Sequence, residues 1–394
     1  MKYGNLILIT WALLVLAGCA AKIEKPAPPL ALVDPAECPS FTDDLDKKLL
    51  ELAIDRSMEY YKRLPETRLY HFGNNDYTVK ELKESLREFL EIMGSSDSER
   101  SINEKIRGTF DVYKSVGSDG KGKILFTGYY APVLMGSLME TTECRYPIYR
   151  TPHDHIVINL GKFKNQYKGE RIVARFENGD VVPYYTRENI DTKGCLKDRG
   201  LEIAWFADPV DLFFLHIQGS GIISLPDGSV ICVSYAQCNG HPYKSVGRLL
   251  VDEEKLSIEG VSLKSIKKYL NEHPEEMSSI LNHNKSYVFF RIVKEGPVGS
   301  LNVPVTAGRT IATDPTQFPK GAIAFIRTKK PVIDKYGSII SWIPFSRFVL
   351  NQDTGGAIIG PGRVDLFCGT GKNAGITAGH TKEEGELYFL VKRK

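Results

Sequence analysis

The sequence predicts a mostly β protein in two domains, a closed barrel interrupted by an insertion. Three observations predict it. Strand-like runs stand towards both ends of the chain, from Lys123 onward and again from Ser286 to the closing ELYFLV. Glycines interrupt these runs where strand interiors avoid them, and the connections are short, as in strands that bend to close on themselves. Between the two sets, residues 151–285 carry turns and strands of their own.

At 394 residues the chain is long enough for two domains and a substantial core. Its 42% hydrophobic and 25% charged residues are ordinary for a globular protein. The formal net charge is +3, with no basic stripe and no aromatic residues interleaved with arginine, so nucleic acid is excluded as a partner. No solenoid or propeller period repeats.

The first residues read as targeting. Lys2 supplies a thin positive region, Asn5 to Leu16 a short apolar one, and Leu16-Ala17-Gly18-Cys19 follows. The apolar run is shorter than the ~20 residues of a membrane span. LAGC resembles the bacterial lipobox, which implies lipidation of Cys19. Ala20, with no aspartate there, fits outer-membrane retention by the same resemblance. Lys22 to Pro39 holds five prolines and reads as an extended tether. Besides Cys19 there are six cysteines, an even number for an oxidising periplasm, so disulfides are open and their connectivity is not readable. No CxxC or Cys/His spacing points to a metal, and no cofactor is expected. The expected division is a signal segment (1–19), a tether (20–41), a barrel domain with N-terminal helices (42–150 and 286–394) and an inserted β domain (151–285).

Residues 42–64 alternate apolar and charged positions at helical spacing after a Thr42/Asp43 cap, and Tyr77–Met93 and Ile102–Val116 repeat the pattern. These predict an amphipathic shell. ILFTGYYAPVL, from Ile124, predicts a strand with Gly128 inside it, a mark of a bulge or of close approach by a ligand. Thr127, Tyr129 and Tyr130 offer hydroxyls and flat faces to sugar rings; core aromatics are the competing reading.

In the middle segment Asn178-Gly179-Asp180 signals a hairpin. Next come two apolar strands flanking Gly219-Ser220-Gly221, then a turn at Pro226-Asp227-Gly228. Gln218 and Ser220 could hydrogen-bond a ligand from a loop whose glycines allow close approach; a plain turn is the alternative. His216, on an apolar strand, reads as a satisfied buried histidine. His241, in the turn after Asn239-Gly240, is the rival general base, with no acid near it in sequence. Leu263–His283 predicts a helix pair broken at Pro274. Asp314 precedes a turn fixed by Pro315, Pro319 and Gly321 and reads as its structural cap. IISWIPFSRFVL predicts a strand with Trp342 and Phe345 in the core, and past Gly369 one further strand is expected.

The stretch NQDTGGAIIGPGRVDLFCG, residues 351–369, is too glycine-rich for a helix and reads as strand, tight turn, strand. A chain returning on itself there would bring Asp353 and Asp365 to one cleft. Two Asx-turn aspartates in a hairpin are the bland alternative.

DTGGAIIGPGRVDLFCG resembles the C-terminal signature of the three-aspartate domain of the lytic murein transglycosylase A family. AGRTIATDPTQFPKGAIAFI matches that domain's first aspartate at Asp314, and Asp353 and Asp365 match the second and third. FTGYYAPV from Phe126, IQGSG from Ile217 and YAQCNGHPYKSVGRLL from Tyr235 agree in order along the chain. The resemblance covers roughly residues 105–390. It implies a double-psi β barrel with an inserted β domain and a groove between them. It implies Thr127, Tyr129, Gln218, Ser220, Asn239 and Tyr243 (with Ser245) as groove residues, Asp365 as the catalytic acid and Asp353 as an orienting carboxylate.

The implied reaction cleaves the β-1,4 bond between N-acetylmuramic acid and N-acetylglucosamine in peptidoglycan. Ordinary glycosidases need two carboxylates. A lytic transglycosylase needs one, because the muramyl C6 hydroxyl attacks internally at high effective molarity. Asp365, between Val364 and Leu366, has the more apolar setting, which raises a carboxyl's pKa. The implied partners are glycan strands, the outer membrane through the lipid and other cell-wall enzymes. Two alternatives stand: a two-carboxylate hydrolase, and a wall-binding lipoprotein without activity.

Overall fold

The computed structural model describes residues 28–334 and 338–394. Cys19 and the start of the proline-rich tether lie outside the described residues.

Six strands close into a ring. In order around it they are Lys382–Lys392, Ile323–Ile333, Ile339–Asp353, Thr310–Ala312, Arg363–Thr370 and Ile124–Ala131, which pairs back onto Lys382–Lys392. Two of the pairings are parallel: Thr310–Ala312 with Ile339–Asp353, and Arg363–Thr370 with Ile124–Ala131. Phe325, Phe348, Val364, Phe126 and Phe389 are almost wholly buried, on both faces of this sheet. Burying so many large apolar side chains is the main drive for closure. Phe110–Ser115 extends the sheet from Lys382–Lys392, and Leu30–Leu32 pairs with it.

Three helices, Lys47–Lys62, Val79–Gly94 and Glu99–Thr109, pack outside the ring. The first starts at Asp46, whose side chain accepts Lys48 N, rather than at the expected Thr42/Asp43 cap. Asp43 instead holds the fully buried Arg309, whose remaining bonds go to the carbonyls of Phe348, Leu45 and Asp46. The predicted helix Ile102–Val116 ends at Thr109. Phe110, Val112 and Tyr113 are drawn into the sheet because their alternation suits a strand with one buried face. Gln352 Nε2 donates to Ala53 O (2.6 Å) and Ser57 Oγ (2.9 Å), so the first helix clamps the strand that carries Asp353.

The insertion is mixed rather than purely β. Val133–Met135, Ser220–Ser224, Val230–Cys238 and Val288–Val293 form one sheet. Two smaller sheets join Tyr146–Tyr149 to Glu202–Phe206, and Ile156–Asn159 to Arg171–Glu177 and Asp180–Pro183. Four helices cover them: Pro209–Gln218, Val246–Asp252, Leu263–Glu272 and Pro274–His283. The first was expected as a strand. Its apolar run is started by Asp208, whose carboxylate caps Val210 N and Asp211 N ahead of Pro209, and is ended by Gly219 at φ 72°. The hairpin at Asn178-Gly179 forms, with both residues at positive φ.

Two other expectations change. Gly371–His380 is a helix where only a closing strand was expected. Trp342 is 36% exposed, on the part of its strand beyond the barrel, whereas Phe345 is buried. All six cysteines among the described residues are free thiols.

Candidate active site

Thr310–Ala312 runs between the strands ending in Asp353 and holding Asp365. Ala312 is opposite Asp353 on one side and opposite Asp365 on the other. The stretch 351–369 is therefore not a hairpin: its two strands share a neighbour, and the glycine-rich loop 354–362 crosses over between them. Asp365 is in turn opposite Thr127. Alternation along Ile124–Ala131 puts Thr127 and Tyr129 on one face of that strand.

The two carboxylates have different surroundings. Asp353 Oδ1 accepts the backbone N–H groups of Ser300 and Thr354, both at 2.8 Å, and Oδ2 accepts the Tyr129 phenol at 2.8 Å. Burial pushes its carboxyl up, and these donors pull against that rise. Asp365 accepts the Thr127 hydroxyl and no backbone N–H among the described residues. Its side chain is 19% exposed. Burial raises it to about 6, with Arg363 lowering and Asp353 raising it further. Arg363 Nη2 lies 3.9 Å from Asp365 Oδ1 and 3.3 Å from Thr127 Oγ1, and its buried Nε has no partner among the described residues. Cys368 is no competing proton carrier, since burial pushes its thiol up to about 12.

Asp314 stands apart from this pair in role. Its Oδ1 accepts Thr316 N and Oγ1, and its Oδ2 accepts Gly360 N at 2.7 Å. Burial raises this carboxyl, but the Gly360 and Thr316 donors outweigh it and hold it below the usual range. Asp314 straps the crossover loop to the turn after Thr310–Ala312.

The groove residues divide. Gln218, the last residue of its helix, accepts Tyr130 N at 3.1 Å and so ties the insertion to the barrel strand of Thr127 and Tyr129. Ser220, largely buried, starts the next strand. Asn239 is used elsewhere. Its Nδ2 donates to Tyr185 O and Lys285 O and its Oδ1 accepts Tyr287 N, each at 2.8 Å, which makes it a buried pin of the insertion. Tyr243 sits with Ser245 on a hollow lined by Phe213, Phe214 and Val246, within the insertion. His241 bonds the Tyr184 carbonyl at 2.7 Å. His216 lies on a helix, not a strand, and burial, with Arg187 beside it, holds its imidazole well below the usual range.

Sequence reasoning missed Ser300 and Arg363. Ser300 reaches Asp353 only because Gly299 has no Cβ, which would meet Gln352 O at 2.8 Å and Asp353 Cγ at 3.2 Å. Nothing in VGSLNV announces that role. Arg363, two residues before Asp365, was in view and its alternation with Asp365 on one strand face was the available signal.

Comparison with known proteins agrees with this arrangement. The MltA specific insert domain matches residues 125–291 and the 3D domain matches residues 309–391. The chain is 30% identical over 326 residues to membrane-bound lytic murein transglycosylase A of Escherichia coli K12, covering 82% of this chain and 77% of that protein. The chain belongs to the MltA family. The crystal structure of a membrane-bound lytic murein transglycosylase from Agrobacterium tumefaciens superposes on this MltA-family chain with a TM-score of 0.76, at 31% identity, over 92% of this chain and 98% of that one. Escherichia coli MltA with bound chitohexaose shares the fold at a TM-score of 0.71 and 24% identity, over 96% and 98%.

Proposed function

We infer that this MltA-family chain is a lytic murein transglycosylase that works with one carboxyl, Asp365. The observation that carries the assignment is the asymmetry of the pair: Asp353 is occupied by three donors, while Asp365 is raised to about 6 and meets a single hydroxyl. Protonated Asp365 gives its proton to the glycosidic oxygen as the bond from the muramyl anomeric carbon breaks. The resulting carboxylate then takes the proton of the C6 hydroxyl as that oxygen bonds to the anomeric carbon. The products are a 1,6-anhydromuramyl end and a free N-acetylglucosamine end, with no water consumed. Arg363 steadies the carboxylate between the two proton transfers, and Asp353 fixes Tyr129 against the substrate.

Glycan lies between barrel and insertion, along Thr127, Tyr129, Gln218 and Ser220. The Gln218–Tyr130 contact supports this groove, and the chitohexaose bound to the Escherichia coli relative supports a glycan ligand. The two parallel pairings in the ring support a double-psi barrel. Its domain is drawn from residues 42–150 and 286–394, less Val133–Met135, Tyr146–Tyr149 and Val288–Val293, which pair within the insertion. Cys19 carries lipid and holds the enzyme at the periplasmic face of the outer membrane, a location that the membrane-bound relatives support. A Cys19→Ser variant should leave the membrane fraction; one retained after high-salt washing rejects the anchor.

Mass spectrometry of the products from purified sacculi tests the reaction. Anhydromuramyl ends are expected. Reducing muramic ends would make the chain a hydrolase using both aspartates, and no release would make it a wall-binding protein.

A further inference from the structure

Away from the aspartates, the insertion encloses a cavity of 540 Å³ between the Tyr146–Tyr149/Glu202–Phe206 sheet, the turn at 188–192 and the Pro274–His283 helix. No barrel strand lines it. Its volume falls in the range of about 300–1,000 Å³ that holds drug-sized ligands. Trp205, Leu212, Phe213, Met277 and Leu281 make its surface apolar. Its rim carries both signs of charge: Arg145 and Lys197 on one hand, Glu140, Asp198 and Glu202 on the other. Arg187 belongs to the wall, since its nitrogens already serve Asn284 O, Asp191, His216 and Ser286 O. The rim groups are less committed. Lys197 and Glu140 stand 3.9 Å apart and are 60% and 49% exposed, and among the described residues the Arg145 side chain bonds through Nε to Thr142 O.

We propose that this cavity binds the peptide stem of murein. Uncharged N-acetyl sugars would leave rim charges of both signs unanswered, at a cost for each group desolvated without a partner. The stem is the part of murein that carries carboxylates, an amine and aliphatic side chains together, and it answers both signs and the apolar floor. The proposal rests on the murein reading of the active site and extends it to a second element of the same polymer. The helix Pro209–Gln218 lines the cavity with its first turn and reaches Tyr130 with its last residue, so one rigid element spans peptide seat and glycan groove.

The test is hydrogen exchange of the lipidated full chain in phospholipid vesicles, with and without free stem tetrapeptide released from sacculi. Slowed exchange in residues 187–198 and 274–282 is expected. Lys197→Glu, on the exposed rim, and Met277→Arg, which fills the floor, should each weaken peptide binding at least tenfold. Cleavage of glycan strands stripped of peptide should stay unchanged in both. No protection, protection confined to 127–131 and 363–370, or equal binding of an N-acetylated, amidated peptide without charges would overturn the proposal. Loss of the murein reading shows separately, as wild-type protein that releases no anhydro product from stripped strands.

Discussion

Asp353 and Asp365 face Ala312 from opposite sides of the same three-residue strand. Their separation is therefore set by two inter-strand spacings and not by the loop that joins them in sequence. A rigid frame of this kind suits a carboxyl that must serve as acid and then base without moving.

Asp365→Asn keeps size and most hydrogen bonding but cannot exchange a proton. It should fold, bind glycan and lose turnover by roughly 10²–10⁴-fold, the usual worth of general acid–base assistance. Asp353→Asn should cost less, through lost orientation. Single-turnover release of anhydromuramyl product ranks them; the reverse order, or loss in His241→Ala alone, would displace Asp365.

The pH profile follows from the same group. The acid must start protonated, so kcat/KM should fall as pH rises through about 6, the value to which burial raises Asp365. Stability moves the same way. A carboxyl raised in the folded state favours folding below its unfolded pKa, and that contribution is lost as pH rises towards 6. From 3.8 to about 6 is roughly two units, on the order of 3 kcal/mol. Thermal melting of Asp365→Asn should therefore exceed that of wild type at pH 7.5 and converge with it near pH 3.5.

Tyr129→Phe removes the phenol that donates to Asp353 at 2.8 Å. Hydrogen bonds to charged groups are worth about 1.5–3 kcal/mol, so a fall of roughly 10–100-fold in kcat/KM is expected. Unaltered kinetics with an intact fold would mean that Asp353 needs no help from Tyr129.

Gln218→Ala cuts the bond to Tyr130 N and removes the amide proposed to meet the glycan. The affinity for chitohexaose should drop by about 1–3 kcal/mol, roughly 5- to 150-fold, in calorimetric titration. Binding at wild-type strength would put Gln218 outside the groove.

Much of the barrel was legible because its signals are local. The alternation in Ile124–Ala131 and the glycines of 351–369 each act within a few residues, as does the Asn178-Gly179 turn in the insertion. The helix Pro209–Gln218 was misread because a continuous apolar run fits a buried strand or a buried helix equally; the Asp208 cap before Pro209 was the deciding and neglected cue. Gly128 shows the limit of a single residue. Its missing side chain admits Ala378 of the Gly371–His380 helix, whose Cα would lie 2.8 Å from a Cβ there, and Cys368 Sγ at 2.9 Å. The close approach that the glycine signalled is by the protein itself, and that helix was not foreseen. Asn239 could not be read at all, since its partners Tyr185, Lys285 and Tyr287 are distant in sequence.

Ring closure also orders events in time. Ile124–Ala131 finds both of its neighbours only in Arg363–Thr370 and Lys382–Lys392, more than two hundred residues later. During synthesis this strand waits with both edges bare, while the insertion, made of residues between Ile124–Ala131 and Thr310–Ala312, can already assemble. Long loops close slowly, and bare edges invite wrong pairing. The catalytic half of the molecule thus exists only once the last strand has arrived, and its maturation falls to whatever shields an unfinished barrel until then.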